Sequence, residues 1–286
     1  MRPAYLTDQA LEDFIRLALA EDIGEGDHST LGAVPADKIS QTRLLVKDNG
    51  LLAGVDLAEK IFYTVDSALT ITRYKNDGDP IQKGDVAFVV EGKAQSILMA
   101  ERLVLNCMQR MSGIATYTHR LCKLIEGIGA QLMDTRKTTP NFRLPEKWAV
   151  FIGGGKNHRY ALYDMVMLKD NHIDMAGGIR AAIERTKQYL EDKNKDLRIE
   201  VETRNLCEVE EVLAVGGIDV IMLDNMSIAD MTKAVKLING RYKTEASGGI
   251  TEATLRTVAE CGVDYISVGA LTHSVKSLDL SLKVIS

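Results

Sequence analysis

The sequence lacks the long apolar segments that membrane and exported proteins need. It contains no run of about 18 apolar residues, the minimum length for a transmembrane helix. Residues 1–8 also lack the apolar core of a signal peptide. We therefore expect a cytoplasmic protein that does not associate with membranes.

Cysteine pairs and excess positive charge are also missing. The four cysteines form no C-x-x-C pair, and no His/Cys spacing suits zinc, so we interpret them as reduced, mostly buried thiols. The net charge is −5 and basic runs are absent, which argues against nucleic-acid binding. The few lysines and arginines that do cluster therefore suggest a small anionic ligand.

The first third of the chain mixes helix and strand signals. Apolar residues from Leu11 to Leu19 repeat at helical spacing, and Gly24 ends that pattern. A long helix is expected from about Ser96, with an interruption near Ser112-Gly113. Between these helices, short strands are expected at residues 42–47, 68–73 and 86–91.

After Gly129, short apolar runs alternate with helical runs. This regular βαβα order predicts a parallel sheet, and the number of units favours a barrel over an open doubly wound sheet. No G-x-G-x-x-G motif follows a strand, which weakens the dinucleotide-binding form of the open sheet. The expected strands are residues 130–134, 165–169, 198–202, 220–224, 242–246 and 265–268.

Each of these strands ends in polar or small residues. In a barrel all the carboxyl ends of the strands meet at one face, where active sites lie. Converging ends of mixed charge indicate an active site rather than a solvated rim. The ends begin at Asp134, Lys169, Glu202, Asp224, Glu245 and Gly269.

Basic residues at these ends form the first candidate constellation. Such groups bind carboxylates and phosphates, Arg by bidentate hydrogen bonds and Lys as a point charge. Ion pairing with nearby aspartates is the alternative for each residue alone, but together they leave excess positive charge for a polyanionic ligand. The set comprises Arg136, Lys137, Arg159 and Lys169, with His158 beside Arg159.

Two further constellations suit a metal and phosphates. Glu202 and Asp224 end neighbouring strands, and paired carboxylates in a phosphate site usually serve Mg²⁺; structural salt bridges are the alternative. Small-residue turns follow the last two barrel strands, where barrels often bind phosphate through backbone N–H groups. These turns are Ser247-Gly248-Gly249 and Gly269-Ala270.

Longer motifs resemble the quinolinate phosphoribosyltransferase family, also called nicotinate-nucleotide pyrophosphorylase (carboxylating). The resemblance covers nearly the whole chain in family order. The motifs are EDIG at 21–24, AER at 100–102, DTRKTTP at 134–140, EKWAV at 146–150, GGGKNHR at 153–159, KDNHI at 169–173, MLDN at 222–225, EASGGI at 245–250 and GALTHS at 269–274.

The resemblance implies an α/β fold with two domains. An N-terminal α/β sandwich is expected over residues 1–113, joined by a C-terminal helix at 274–286. An incomplete parallel α/β (TIM-like) barrel is expected over residues 114–273. The implied reaction transfers phosphoribosyl from phosphoribosyl pyrophosphate to quinolinate with decarboxylation, in NAD biosynthesis, and gives nicotinate mononucleotide, CO₂ and pyrophosphate.

The resemblance also implies residue roles, with Lys137, Lys169, Glu202 and Asp224 as the catalytic set. Arg136, His158 and Arg159 would hold the quinolinate carboxylates beside the two lysines, while Glu202 and Asp224 would face the ribose and Mg²⁺. Ser247, Gly248, Gly249 and Gly269 would bind phosphates, with His273 close by. The implied assembly is a homodimer in which Arg102 enters the partner's site; any larger assembly is left open.

Three residues depart from the family pattern. Asn141 stands where the family usually has Gly, and Asn tolerates a left-handed backbone better than most residues. Pro145 and Ala161 also depart from the family pattern, near the loop that approaches the substrate.

Three alternative functions remain open. They are a Schiff-base enzyme, a non-catalytic or transport-associated binder of phosphoribosyl ligands, and a transferase that uses nicotinate.

Overall fold

The computed structural model describes residues 3–285, and every element below lies within that range. The helices are α1 (Asp8–Ile23), α2 (His28–Ala33), α3 (Val55–Val65), α4 (Ala94–Leu124), α5 (Arg143–Ile152), α6 (Asp170–Ala176), α7 (Ile179–Asp192), α8 (Leu206–Val215), α9 (Ile228–Ile238), α10 (Glu252–Ala259) and α11 (Ala270–His273). The strands are β1 (Ile39–Val46), β2 (Gly50–Leu51), β3 (Thr70–Arg73), β4 (Pro80–Ile81), β5 (Val86–Lys93), β6 (Gln131–Met133), β7 (Val166–Leu168), β8 (Ile199–Thr203), β9 (Val220–Asp224), β10 (Lys243–Ser247), β11 (Tyr265–Ser267) and β12 (Leu280–Val284).

The chain divides into two compact units. The first contains the chain up to His119, residues 137–154, and the chain from Ala270 onward. The second contains residues 120–136 and 155–269. Neither unit is a continuous stretch of sequence. Within the described residues, no helix is long and apolar enough to cross a bilayer.

The first unit is built on an antiparallel sheet in the order β12-β1-β5-β3. In β1 the buried residues Thr42, Leu44 and Val46 recur with a period of two, so one face of this strand is covered and the other is not. Helix α3 buries Val55, Leu57, Ala58, Ile61 and Phe62, the apolar stripe expected of a helix that packs on such a face. This mixture of helices and antiparallel strands confirms the α/β sandwich.

The C-terminal helix expected at residues 274–286 is wrong for the described residues. Strand β12 lies there instead and pairs antiparallel with β1. Leu278, Leu280 and Leu282 are buried and alternate with more exposed residues, which is the period of a strand rather than of a helix. Pairing with the edge of β1 also satisfies backbone groups that a short terminal helix would leave to solvent.

The expected interruption at Ser112-Gly113 is also wrong, because α4 runs unbroken through it. The Ser112 Oγ accepts a hydrogen bond from the Ala53 N–H at 2.9 Å and donates to the Ala53 carbonyl at 3.2 Å. A Cβ at Gly113 would collide with the backbone carbonyl of Lys276. The small residues therefore mark two close approaches of the chain to α4, not a break in it.

The second unit is a parallel sheet with helices between its strands. Its order is β6-β11-β10-β9-β8-β7, and each of its six strands overlaps a range expected from the sequence. The first strand of this unit pairs with the last, as in a barrel, but within the described residues β6 and β7 form no ladder with each other. All five residues of β8 are buried, as expected for a strand covered on both faces. The incomplete α/β barrel is therefore confirmed.

We expect Gly113→Ala to lower stability, although alanine usually favours a helix interior. The new methyl group would overlap the Lys276 carbonyl, and such overpacking costs about 1–3 kcal/mol. Urea unfolding followed by circular dichroism measures the loss.

Gly32→Ala in α2 is the matched control, because a Cβ there meets no atom within 4 Å. It should leave stability unchanged or raise it by about 0.5–1 kcal/mol. Equal stability of the Gly113→Ala and Gly32→Ala variants would contradict the close approach of Lys276.

Candidate active site

Parallel register gathers carboxylates on one face of the sheet in the second unit. Glu202 lies opposite Met222, and Asp224, two residues later on β9, lies opposite Ser247. Registered neighbours and residues two apart point to the same side of a sheet, so Glu202, Asp224 and Ser247 share a face. The structure thus brings together the predicted carboxylate pair and the first residue of a predicted phosphate turn.

The carboxylate pair carries more negative charge than its neighbours offset. Burial raises the pKa of Glu202, and the charge of Asp224 raises it further. The Lys169 Nζ lies 3.7 Å from Glu202 Oε2, and the Lys169 side chain is half exposed. Asp224 accepts a hydrogen bond from the Asn225 side-chain amide at 2.7 Å. A cation placed here would relieve the repulsion between Glu202 and Asp224.

The turn after β10 is shaped by the turn after β9. Asn225 has a φ of 52°, and its N–H donates to the Ser247 carbonyl at 2.9 Å. Gly248 has a φ of 92°, and a Cβ at this position would collide with the Asn225 side chain. Only glycine satisfies both conditions, so the MLDN and EASGGI motifs, far apart in sequence, form one backbone surface.

A buried carboxylate fixes the segment that carries His158 and Arg159. The segment pairs with β6, since the Lys156 N–H donates to the Leu132 carbonyl at 2.8 Å. Asp134, which follows β6, is fully buried and accepts from the Asn157 side-chain amide at 2.6 Å and the His158 N–H at 2.9 Å. His158 and Arg159 are therefore held in place by the pairing of their segment with β6 and by the hydrogen bonds to Asp134.

The His158 ring lies against two glutamates that the sequence reasoning did not select as site residues. Its Nε2 is 2.9 Å from Glu200 Oε2 and 3.4 Å from Glu245 Oε2. The sequence held a signal for Glu200: in the run Ile199-Glu200-Val201-Glu202-Thr203, the two glutamates are two residues apart and must share a face. Glu245 pairs in register with Met222 and so joins the same face.

These three groups share protons. Burial lowers the pKa of His158, but its hydrogen bonds with Glu200 and Glu245 outweigh that effect and raise the pKa overall. Burial and the charge of Glu245 raise the pKa of Glu200. The Arg159 N–H donates to His158 Nδ1 at 2.7 Å, which requires an Nδ1 without a proton. The raised pKa favours a charged ring, whereas the contact at Nδ1 favours the neutral Nε2–H tautomer; we assign the neutral tautomer on the contact geometry and place the additional proton on the two glutamates.

Arg159 is held beside a second arginine. Its guanidinium donates to the Met165 carbonyl at 3.1 Å and contacts Met167 Sδ at 3.7 Å. Burial lowers the pKa of Arg159, and the nearby positive charge of Arg136 lowers it further. The charges of Glu200 and Asp164 raise the pKa of Arg159 and so offset part of this effect. Two neighbouring arginines would favour an anionic ligand.

A cavity of about 170 Å³ connects the histidine cluster with Arg159. Its wall includes His158, Arg159, Glu200 and Glu245, together with Arg198 at the amino end of β8. The predicted residues of the second unit thus form two groups. One surrounds the cavity, and the other, with Glu202 and Asp224, lies at the carboxyl ends of the strands.

Arg102, Lys137 and His273 belong to the first unit. Arg102 is exposed on α4, and Lys137 is exposed in the segment before α5. The Lys137 carbonyl accepts from the Thr272 hydroxyl at 2.8 Å. His273 is exposed, and its Nδ1 lies 2.6 Å from the Ser274 hydroxyl. Asn141, in the same segment as Lys137, has a φ of 60°, which confirms the expected left-handed backbone.

Glu146, the first residue of the EKWAV motif, organises this segment. It is fully buried, and its Oε1 accepts from the Arg110 Nη2 at 2.9 Å and from the Thr139 hydroxyl at 3.0 Å. Its Oε2 accepts from the Thr139 N–H at 2.9 Å. These bonds hold the chain between Lys137 and α5, so Glu146 sets where Lys137 lies.

Removing the partner of Glu146 should be costly. Arg110→Met leaves a fully buried carboxylate without its cation, which destabilises a protein by about 3–5 kcal/mol. Thermal unfolding measures the effect. Arg120→Met is the matched control, because Arg120 pairs with Glu252 at the surface and such pairs contribute about 0–1 kcal/mol. Similar melting temperatures for the two variants would contradict a structural role for Glu146.

Comparison with known families gives two matches that together span most of the chain. A model described as quinolinate phosphoribosyl transferase, C-terminal domain, matches residues 114–283. A model described as quinolinate phosphoribosyl transferase, N-terminal domain, matches residues 27–112.

Individual relatives agree with these matches. Quinolinate phosphoribosyltransferase [decarboxylating] 1b of Nicotiana tabacum is 48% identical over 289 residues, which cover 96% of this chain and 82% of the relative. The crystal structure of NadC from Streptococcus pyogenes superposes with a TM-score of 0.90 at 38% identity, covering 98% of this chain and 99% of that one. Nicotinate-nucleotide pyrophosphorylase from Francisella tularensis gives a TM-score of 0.89 at 39% identity, covering 98% of each chain.

Proposed function

Because the chain belongs to the quinolinate phosphoribosyltransferase family, we propose that it transfers phosphoribosyl from phosphoribosyl pyrophosphate to quinolinate, with loss of CO₂. The products are nicotinate mononucleotide, CO₂ and pyrophosphate, so the enzyme is a carboxylating nicotinate-nucleotide pyrophosphorylase of NAD biosynthesis. The single observation that carries the chemistry is geometric: Glu202, Asp224 and Ser247 share one face at the carboxyl ends of neighbouring strands, with Lys169 Nζ 3.7 Å from Glu202.

The arginine group suits a dicarboxylate. After burial, the positive charge of Arg136 is the next cause that lowers the pKa of Arg159, so the two guanidinium groups are neighbours, and a doubly charged anion between them would form charge-assisted bonds with both. His158 is held next to Arg159, while Lys137 and Lys169 are the further cations of the set. A monocarboxylate such as nicotinate would satisfy fewer of these cations, which is why quinolinate is the proposed acceptor.

The carboxylate group suits the ribose and Mg²⁺. Glu202 and Asp224 are close enough for the charge of one to raise the pKa of the other, as expected of a cation site. Mg²⁺ binds one or two protein carboxylates and completes its shell with water and phosphate oxygens, so the donor set fits. When bound, Mg²⁺ would make pyrophosphate a better leaving group. Glu202 and Asp224 would also stabilise positive charge that develops on the ribose ring.

The glycine turns suit phosphate groups. The backbone around Ser247, Gly248 and Gly249 follows a barrel strand, the place where barrels commonly bind phosphate. The positive φ of Gly248 and Gly249 turns the backbone in a way that side chains would obstruct. Gly269 forms the corresponding turn after β11, and His273, in the first unit, is the proposed additional phosphate contact.

The order of bond changes follows from the acceptor. Attack of the pyridine nitrogen on the anomeric carbon breaks the bond to pyrophosphate, which leaves, and gives a pyridinium ring. That positive charge stabilises the electron pair left on the ring carbon when the adjacent carboxylate leaves as CO₂, and a proton from solvent then adds to that carbon. We therefore place ribosylation before decarboxylation.

The proposed assembly is a homodimer in which Arg102 serves the partner's site. Arg102 is exposed on α4, and the exposed Asn106 lies one helical turn further along. An exposed arginine can complete an anion site on another subunit without changing the fold of its own.

The test of function follows both products with time. Incubation with quinolinate, phosphoribosyl pyrophosphate and Mg²⁺ should release CO₂ and nicotinate mononucleotide in equal amounts, and chelation should stop both. Asp224→Asn should raise the Mg²⁺ requirement, whereas Glu184→Gln, an exposed charge on α7, should not. Binding of phosphoribosyl pyrophosphate without turnover would instead favour the non-catalytic binder.

Subunit mixing tests the shared site. Arg102→Ala and Lys137→Ala homodimers should both be nearly inactive. After random exchange, about a quarter of wild-type activity should return, because half the dimers carry one intact site of two. A mixture of Lys137→Ala and Lys169→Ala is the control and should recover nothing, since both lysines are proposed to serve the site of their own chain. Equal behaviour of the two mixtures would place Arg102 in its own chain's site.

A further inference from the structure

Three buried ionisable side chains form a cluster inside the parallel sheet of the second unit. Glu200 and Glu245 are no more than 1% exposed, and both lie within 3.4 Å of the Nε2 of His158. The proposed reaction gives neither glutamate a task. Glu200 lies toward the amino end of β8, two residues before Glu202 and on the same face of the strand.

Stability does not account for these glutamates. Carboxylates in a protein interior lose their hydration, and apolar residues of similar volume often fold as well or better. Within the described residues, Glu200 Oε1 and Glu245 Oε1 are buried and accept no hydrogen bond from any other residue, while the two carboxyl groups interact with each other. The fold therefore buries two adjacent carboxyl groups at this place, and one oxygen of each is directed at the same ring nitrogen.

The two glutamates hold a ring that is fastened on its other side to Arg159. The His158 ring Nδ1 accepts a hydrogen bond from the backbone N–H of Arg159 at 2.7 Å, and the backbone N–H of His158 donates to Asp134. With Nε2 bound to Glu200, the ring cannot turn over without breaking contacts at both nitrogens. The peptide from which the Arg159 side chain extends toward Met165 and Met167 is thereby fixed.

We infer that Glu200, supported by Glu245, is a positioning residue for the carboxylate-binding group. It fixes the His158 ring and, through that ring, the backbone that aims the Arg159 guanidinium. The inference rests on the proposed function, because it takes quinolinate as the anion bound by Arg159 and His158. Glu200 itself acts through His158 and contacts no reacting atom.

Three variants separate positioning from packing. Glu200→Leu removes the acceptor while filling a similar volume, and Glu200→Gln keeps an oxygen that can accept the Nε2–H. Val201→Ala is the matched control, because Val201 is fully buried on the opposite face of the same strand. It removes core packing from β8 without altering the partner of His158.

Calorimetric titration of the ligand-free protein with quinolinate is the first readout. Glu200→Leu should weaken quinolinate binding about tenfold, as expected for loss of a hydrogen bond that involves a charged group. Glu200→Gln should restore most of the affinity, and Val201→Ala should bind like wild type despite a lower melting temperature. Phosphoribosyl pyrophosphate should bind all variants alike.

Nuclear magnetic resonance of ¹⁵N-labelled histidine is the second readout and needs no ligand. Wild type and Glu200→Gln should show His158 as a single tautomer protonated at Nε2, whereas Glu200→Leu should show a tautomer mixture. His158→Asn assigns the signal among the five histidines. If Glu200→Leu is destabilised, the histidine spectra of Glu200→Gln and Glu245→Gln can be compared with it to decide whether Glu200 anchors the His158 ring.

The outcomes discriminate the possibilities. Wild-type affinity in Glu200→Leu, or equal loss in Val201→Ala, would overturn the inference. A stoichiometric divalent ion that wild type retains and Glu200→Leu loses would also overturn it, since the carboxylate would then hold an ion. If wild type binds no quinolinate, the proposed function fails, while the histidine spectrum still shows whether Glu200 anchors His158.

Discussion

Concentrated negative charge inside the parallel sheet is the constraint on which the second unit depends. Register places four carboxylates on one face of three adjacent strands: Glu200 and Glu202 on β8, Asp224 on β9 and Glu245 on β10. Burial makes their mutual repulsion strong, so each needs a proton, a cation or a hydrogen-bond donor nearby. Toward the amino ends of the strands, the His158 ring contacts Glu200 and Glu245. At the carboxyl ends, Lys169 lies near Glu202 and offsets only part of the negative charge.

The positions of His158 and Arg159 depend on a different feature of the sheet. Within the described residues, β6 and β7 form no ladder with each other, which leaves an edge of β6 open for pairing. The segment around Lys156 pairs with the edge of β6, and Asp134 fastens Asn157 and His158 beside it. Arg159 then reaches the cavity next to Arg136. The proposed anion-binding and cation-binding groups thus lie in one unit, where a doubly charged acceptor and a metal-bound diphosphate would use charges of opposite sign.

Backbone geometry supplies the third part of the site. Asn225 and Gly248 are separated by more than twenty residues, yet the side chain of one occupies the space that a Cβ of the other would need. The two turns therefore depend on each other, and a substitution in either would move both. In the first unit Glu146 has a comparable role, because it ties Arg110 to the segment that begins at Lys137.

The sequence by itself determined the positions of the six parallel strands, the barrel-like unit and the residues at the strand ends, because βαβ periodicity and polar strand termini are local patterns. It also located Asn141 in a left-handed turn. Only the tertiary structure decided that residues 280–284 form a strand, that Ser112-Gly113 lies inside a continuous helix, and that Glu200 and Glu245 converge on His158. Those outcomes depend on which distant segment lies opposite, whether β1, Lys276 or a neighbouring strand in register. A linear pattern carries no information about such partners until the chain has folded.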